Sequence, residues 1–239
     1  MTYRISIIVF DEFTDIDFFL MRDILGRTST DWSVKVLGTK SIHTSTLGLT
    51  VKTDGHVSEA NASDVVLFVS GYKGVPAALE DKEFMSSFNL NPQKQLIGSV
   101  CAGSFILSRL GLLEGIKATT HPDAKPGLVS MGVDVQDKAL VVEGNIATAG
   151  GCLSALYLTG WLAERLYDES KRREIHKQLI PVGQSHIFEE IIKSSIEAAK
   201  VSESHNTALQ PTAFRYASSV GCASSLSVSA SPGTRSKSS

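Results

Sequence analysis

The chain has 239 residues, a formal net charge of -2, 42% hydrophobic and 20% charged residues. This suits one soluble globular domain with a sizeable core, and it excludes the broad basic face that a phosphate backbone requires. The cysteines, Cys101, Cys152 and Cys222, are an odd and scattered set, so a disulfide framework and a clustered metal site are not expected, and a reducing, cytoplasmic setting is.

The opening stretch MTYRISIIVFDEF holds an apolar run too short for a signal core, and no later segment approaches the roughly 20 apolar residues of a membrane span. Arg4 to Phe10 reads as a buried strand that breaks into an acidic loop holding Asp15 and Asp17, and Phe18 to Leu25 follows as a helix. Trp32 to Leu37 is a second strand, and Thr50 to Thr53 a short piece of a hairpin or edge extension. Val65 to Val69 is an apolar run ending in the glycine-punctuated loop Ser70-Gly71-Tyr72-Lys73-Gly74. A helical stretch around Glu83 to Phe88 then leads into the strand Leu96 to Val100.

Farther on, Ala118 to His121 reads as a strand ending at Pro122, and Val133 to Val135 with Leu140 to Thr148 as two more. The corner Gly150-Gly151 opens a helix from about Leu153 to Leu166, and Lys171 to Leu179 is a charged helix. Strands alternating with helices predict an open, mostly parallel α/β sheet covered on both faces, with sites at the carboxyl ends of the strands. Residues 1–200 are expected to form that domain. Residues 201–239, with 12 serines among 39 residues and little apolar periodicity, are expected to be a disordered tail that leaves Cys222 outside the chemistry.

The most informative stretch is LIGSVCAGSFILSRLGLLEG, Leu96 to Gly115. Cys101 stands where a strand turns into a helix, and Gly98, Ala102 and Gly103 keep bulk away from the turn, the steric logic of a nucleophile elbow. Unpaired N–H groups at a helix start favour a thiolate there. The alternative is that Cys101 is one more small buried hydrophobe.

VSGYKGV, GSVCAGSFILSRLGLLEG, KATTHP and TAGG, in that order after a first strand with an acidic loop, resemble the DJ-1/PfpI superfamily, of the class I glutamine amidotransferase-like, flavodoxin-like type. The isocyanide hydratase branch is the nearest, and the resemblance runs over roughly residues 3 to 180. It implies Cys101 as nucleophile and Asp17 as the acid beside its sulfur, with Asp15 as the alternative acid; a carboxyl beside a thiolate must share its proton. It also implies Gly71 and the Ala102 N–H as binders of developing negative charge, with Tyr72, Gly150 and Gly151 around the pocket. Asp17 also suits a plain helix start. His121 lies in the Thr-Thr-His segment of several branches, as a second catalytic group, a dimer contact or a structural histidine.

The chain departs from the family pattern at Ala102. Hydrolytic branches have histidine there, which disfavours peptidase chemistry, and the hydratase branch has threonine. Tyr72 replaces the second of two glycines and is expected to narrow or reshape the pocket. The expected function is a cysteine-dependent hydro-lyase that adds water to an isonitrile, with no metal or cofactor, acting on a small molecule as a homodimer, with the helix bearing Tyr157 and Trp161 either as contact surface or packed on the sheet. The alternatives are a glyoxalase- or deglycase-like enzyme acting on α-oxoaldehydes and a redox-responsive protein whose Cys101 oxidises to a sulfinic acid.

Overall fold

Continuous apolar runs make strands that are buried on both faces, the signature of a parallel sheet sandwiched between helices. The computed structural model describes residues 2–28 and 30–200, and the expected Ser-rich tail with Cys222 lies outside the described residues. The chain begins with β1 (Tyr3–Ile8), α1 (Asp15–Gly26), β2 (Trp32–Gly38), β3 (Ile42–Thr44), β4 (Thr50–Lys52) and β5 (Gly55–His56). It continues through β6 (Val65–Phe68), α2 (Gly74–Glu80), α3 (Lys82–Ser86), β7 (Leu96–Val100) and α4 (Ser104–Arg109). Next come β8 (Lys117–Ala118), α5 (Lys125–Ser130), β9 (Asp134–Val135), β10 (Leu140–Glu143) and β11 (Ile146–Ala149), and then α6 (Ala155–Leu166), α7 (Glu169–His176) and α8 (Ser185–Lys200).

Seven strands form one sheet in the order β10-β11-β7-β6-β1-β2-β5. Its neighbours pair in parallel except in the β10–β11 hairpin. Every residue of β6 and β7 is buried, so both strands are held by packing from both sides. From β1 the chain steps outward to β2 and β5 on one side and returns to lay down β6, β7 and β11 on the other. That reversal makes a crevice at the carboxyl ends of the strands, the natural ligand position of an open α/β sheet.

The Thr50 strand is half of a hairpin with β3, one of its two expected arrangements, while several other expected boundaries move. Around His121 pairing stops at Ala118, and the Thr119 N–H instead donates to Thr148 Oγ1 at 2.8 Å. The Leu140 run folds back on itself at Gly144, whose φ is 60°, so this region holds an extra strand. Leu153 belongs to a short 3-10 turn and is exposed; α6 starts at Ala155. Trp161 is fully buried in the core, so of the two roles expected for its helix, contact surface or packing on the sheet, this side chain takes the second.

α7 and α8 are locked to α6 by Arg172, which is fully buried and reaches Glu164, Glu169 and Glu189. A buried guanidinium is tolerable only with its donors answered in this way.

Candidate functional site

Cys101 follows β7 directly and opens a 3-10 turn, Cys101–Gly103, ahead of α4. Its φ is 49°, a left-handed conformation that costs a non-glycine residue about 1 kcal/mol or more and persists only when neighbours enforce it. Those neighbours are visible. The Cys101 carbonyl accepts from Thr120 Oγ1 at 2.9 Å and Ser104 Oγ at 3.2 Å. A Cβ on Gly103 would stand 2.8 Å from the Val69 carbonyl oxygen and 2.9 Å from that of Phe68, so only glycine lets the elbow lie against the end of β6. α4 itself has six residues, too short to supply much of the expected helix-dipole effect.

Asp17 sits in the first turn of α1, fully buried. The Cys101 thiol donates to Asp17 Oδ1 at 3.7 Å, and Asp17 Oδ2 has no hydrogen-bond partner. Burial raises the Asp17 pKa, partly offset by hydrogen bonds from Cys152 and Cys101 and by the charge of His121. Burial also pushes the Cys101 thiol up, and the Asp17 charge adds to the rise. With both ionisations opposed, the pair shares a proton far more readily than it loses both. The two charge arrangements, thiol with carboxylate and thiolate with carboxylic acid, differ only in where that proton sits.

Asp15 points elsewhere: its carboxylate accepts from Ser45 Oγ at 2.5 Å and the Leu47 N–H at 3.2 Å, tying α1 to the β3–β4 hairpin. The structure therefore brings Asp17, and not Asp15, to the sulfur. A pocket of about 280 Å3 rises above the pair, with Thr14, Ser70, Ala102, His121 and Cys152 among its walls.

His121 stands on that wall without bonding the cysteine. Its Nδ1 accepts the Asp123 N–H at 3.2 Å and caps a short turn at Pro122. Tyr72 borders the pocket but is 91% exposed, so it flanks the mouth and does not narrow the interior. The Ala102 N–H donates to Ser70 Oγ at 3.1 Å. Gly71 does not line the pocket; a Cβ there would meet the Glu12 carbonyl oxygen at 2.4 Å, so it serves close packing of two loops. Gly150 lines a separate shallow pocket with Thr119 and Lys138, and Gly151, at φ 109°, turns the chain into Cys152.

Cys152 is the residue that sequence reasoning missed at the site. Its sulfur lies 3.6 Å from that of Cys101, and burial raises its pKa, as does the neighbouring Asp17. The ligand atoms of Asp17, Cys101 and Cys152 all fall within 4.8 Å of one another, a donor set of the kind that suits a soft divalent cation such as zinc. No helix among the described residues is long and apolar enough to cross a membrane.

Known proteins carry the same arrangement of segments. The profile of the DJ-1/PfpI family matches residues 3–165. An isonitrile hydratase of Pseudomonas putida is 31% identical over 138 residues, covering 57% of this chain and 60% of that protein. A deglycase of Pyrococcus abyssi is 29% identical over 100 residues, covering 41% of this chain and 60% of that protein. The chain thus spans 60% of the length of either curated relative. Among solved structures, Schizosaccharomyces pombe DJ-1 superposes with a TM-score of 0.64 at 20% identity, over 74% of this chain and all of that one, which shows the shared fold.

Proposed function

This chain belongs to the DJ-1/PfpI family, and from that membership we propose that it is a cysteine-dependent enzyme that hydrates a small isonitrile to an N-substituted formamide. The observation that carries the reading is the buried Asp17 carboxyl held 3.7 Å from the Cys101 sulfur. An isonitrile carbon must gain both a nucleophile and a proton, and a thiol beside an acid of raised pKa supplies both at one atom. The Cys101 thiolate forms a C–S bond at the terminal carbon while Asp17 delivers its proton to that carbon, giving a thioimidate. The Asp17 carboxylate then takes a proton from water as the water oxygen adds. Asp17 passes that proton to the nitrogen, the C–S bond breaks as the hydroxyl becomes the carbonyl and its proton goes to the departing sulfur, and N-substituted formamide is released, so that one isonitrile and one water give one formamide.

This chemistry builds negative charge on carbon, where a proton meets it, and asks little of an oxyanion hole. Glyoxalase and acyl-transfer chemistry ask more of one, and here the Ala102 N–H is already taken by Ser70 Oγ. The His121 ring nitrogen a base would use is likewise engaged by the Asp123 N–H. The α-oxoaldehyde reading is therefore the weaker one. Exposed apolar side chains on α1 and the β3–β4 hairpin, Ile16, Phe19, Leu47 and Leu49, support a homodimer through that face, in place of the one bearing Trp161. Reduced thiols at the site suit a reducing compartment such as the cytoplasm.

The test is formamide production from a simple aryl or alkyl isonitrile, with methylglyoxal as competing substrate and Cys101→Ala beside the parent. Formamide from the parent and none from Cys101→Ala is the expected result. Turnover of methylglyoxal alone, or formamide from both proteins, overturns the reading.

A further inference from the structure

The hydration just described has no task for Cys152. Its place is nonetheless specific. Val100 and Ala149 are partners in the parallel pairing of β7 with β11, so the two chains leave the sheet side by side. One turns at once into Cys101; the other runs through the Gly150-Gly151 corner and delivers Cys152 above it. The sulfurs end 3.6 Å apart, both free, on the wall of one open pocket, with Cys101 buried and Cys152 half-buried. A disulfide requires about 2.05 Å between sulfurs, so closing the bond takes a movement of about 1.5 Å. Cys152 can supply it, because it lies in a three-residue 3-10 turn after a glycine at φ 109°, outside the body of α6.

We propose that Cys101 and Cys152 form a working dithiol that reduces a hydroperoxide and closes to a disulfide, Cys101 as the attacking thiol and Cys152 as the resolving one. The Cys101 thiolate attacks one peroxide oxygen and the O–O bond breaks. The departing oxygen takes a proton from Asp17 and leaves as water or an alcohol, and Cys101 holds the transferred oxygen as a sulfenic acid. The Cys152 thiol then attacks that sulfur, the S–S bond forms, and the hydroxyl leaves with the Cys152 proton as water. Two thiol hydrogens and one peroxide are consumed, the peroxide is reduced by two electrons, and an external thiol reductant returns the pair to its starting state. Asp17 can serve both sulfurs, since the ligand atoms of all three residues lie within 4.8 Å.

A buried cysteine without such a neighbour continues from sulfenic to sulfinic acid. Here the second thiol intercepts the first oxidation product, so the site is protected from irreversible loss. The inference needs a nucleophilic Cys101 but no isonitrile, and it stands or falls apart from the hydratase reading.

Reduced full-length protein treated with a small excess of hydrogen peroxide decides it, by intact mass and by mapping of tryptic peptides. The parent is expected to lose about 2 Da, with one cross-linked peptide pair joining Cys101 to Cys152 and full recovery in dithiothreitol. Cys222→Ser should behave as the parent. Cys152→Ser should instead gain about 32 Da at Cys101, the mass of a sulfinic acid. Oxygen accumulating on Cys101 of the parent without a cross-link, a link to Cys222, or no reaction at all overturns the proposal. The peptide map of the parent answers the question even if Cys152→Ser folds poorly.

Discussion

Replacing Asp17 by asparagine separates the catalytic worth of this carboxyl from its structural cost. The side chain is fully buried, one oxygen faces the Cys101 sulfur at 3.7 Å and the other has no partner. Such a group is a poor contributor to the folded state: an unanswered buried polar atom costs about 1–3 kcal/mol, and a buried charge more. Because burial holds the folded pKa above the ordinary carboxylate range, the folded protein binds this proton more tightly than the unfolded chain. Its stabilising contribution is complete below the unfolded pKa and is lost as pH rises through the raised one. Above that raised value the parent carries the penalty of a buried charge. Asparagine leaves the same unanswered atom but no charge, so Asp17→Asn should unfold at higher urea at pH 7, by about 1 kcal/mol or more from the charge alone. The gap should close as pH falls into the carboxylate range, where both side chains are neutral. Isonitrile turnover by the same variant should drop by about 100-fold or more, the usual worth of a positioned acid. An Asp17→Asn protein that is less stable than the parent at pH 7, or that keeps its turnover, refutes this account of the site.

Two further predictions follow from the packing. Gly103→Ala places a methyl group 2.8 Å from the Val69 carbonyl oxygen, and neither backbone can yield easily. It should cost about 1–3 kcal/mol in urea unfolding and reduce kcat about tenfold or more by displacing the elbow. His176 is fully buried on α7 against Thr159, with its pKa lowered to about 4 by burial and by the Arg172 charge. Its neutral state supports the fold above the unfolded pKa, and that support is lost as pH falls from about 6.5 through about 4. Thermal unfolding across this window should show a decline on the order of 3 kcal/mol in the parent, flattened in His176→Gln; equal slopes would exclude His176 as its source.

What the sequence made legible was whatever burial on both faces imprints on it. Val65 to Phe68 and Leu96 to Val100 are uninterrupted apolar runs because nothing polar can be solvated between two helical layers, and the elbow showed itself by its small residues. α2 was hidden because Gly74 and Pro76 occupy its first turn, where proline is tolerated but reads as a continuing loop. α8 carries a readable signal, since Ile192 and Ile196 recur at helical spacing and both are buried, but it has no counterpart among the expected elements. Cys152 carried no local signal: its place depends on β11 lying beside β7, a pairing of segments about fifty residues apart in the chain. Asp17 satisfied two readings together, lying in the first turn of a helix and against the sulfur.

The pocket is built on two tiers. Its floor, Cys101 and Asp17, is buried and gripped by hydrogen bonds from Thr120 and Ser104 to the elbow carbonyl, whereas Tyr72 and Asp123 on the rim stand largely in solvent. Substitutions on the floor disturb several loops together, but those on the rim disturb little beyond themselves. Such a molecule can exchange one substrate for another over evolutionary time while its reacting atoms stay in place, and laboratory diversification is best confined to the same upper tier.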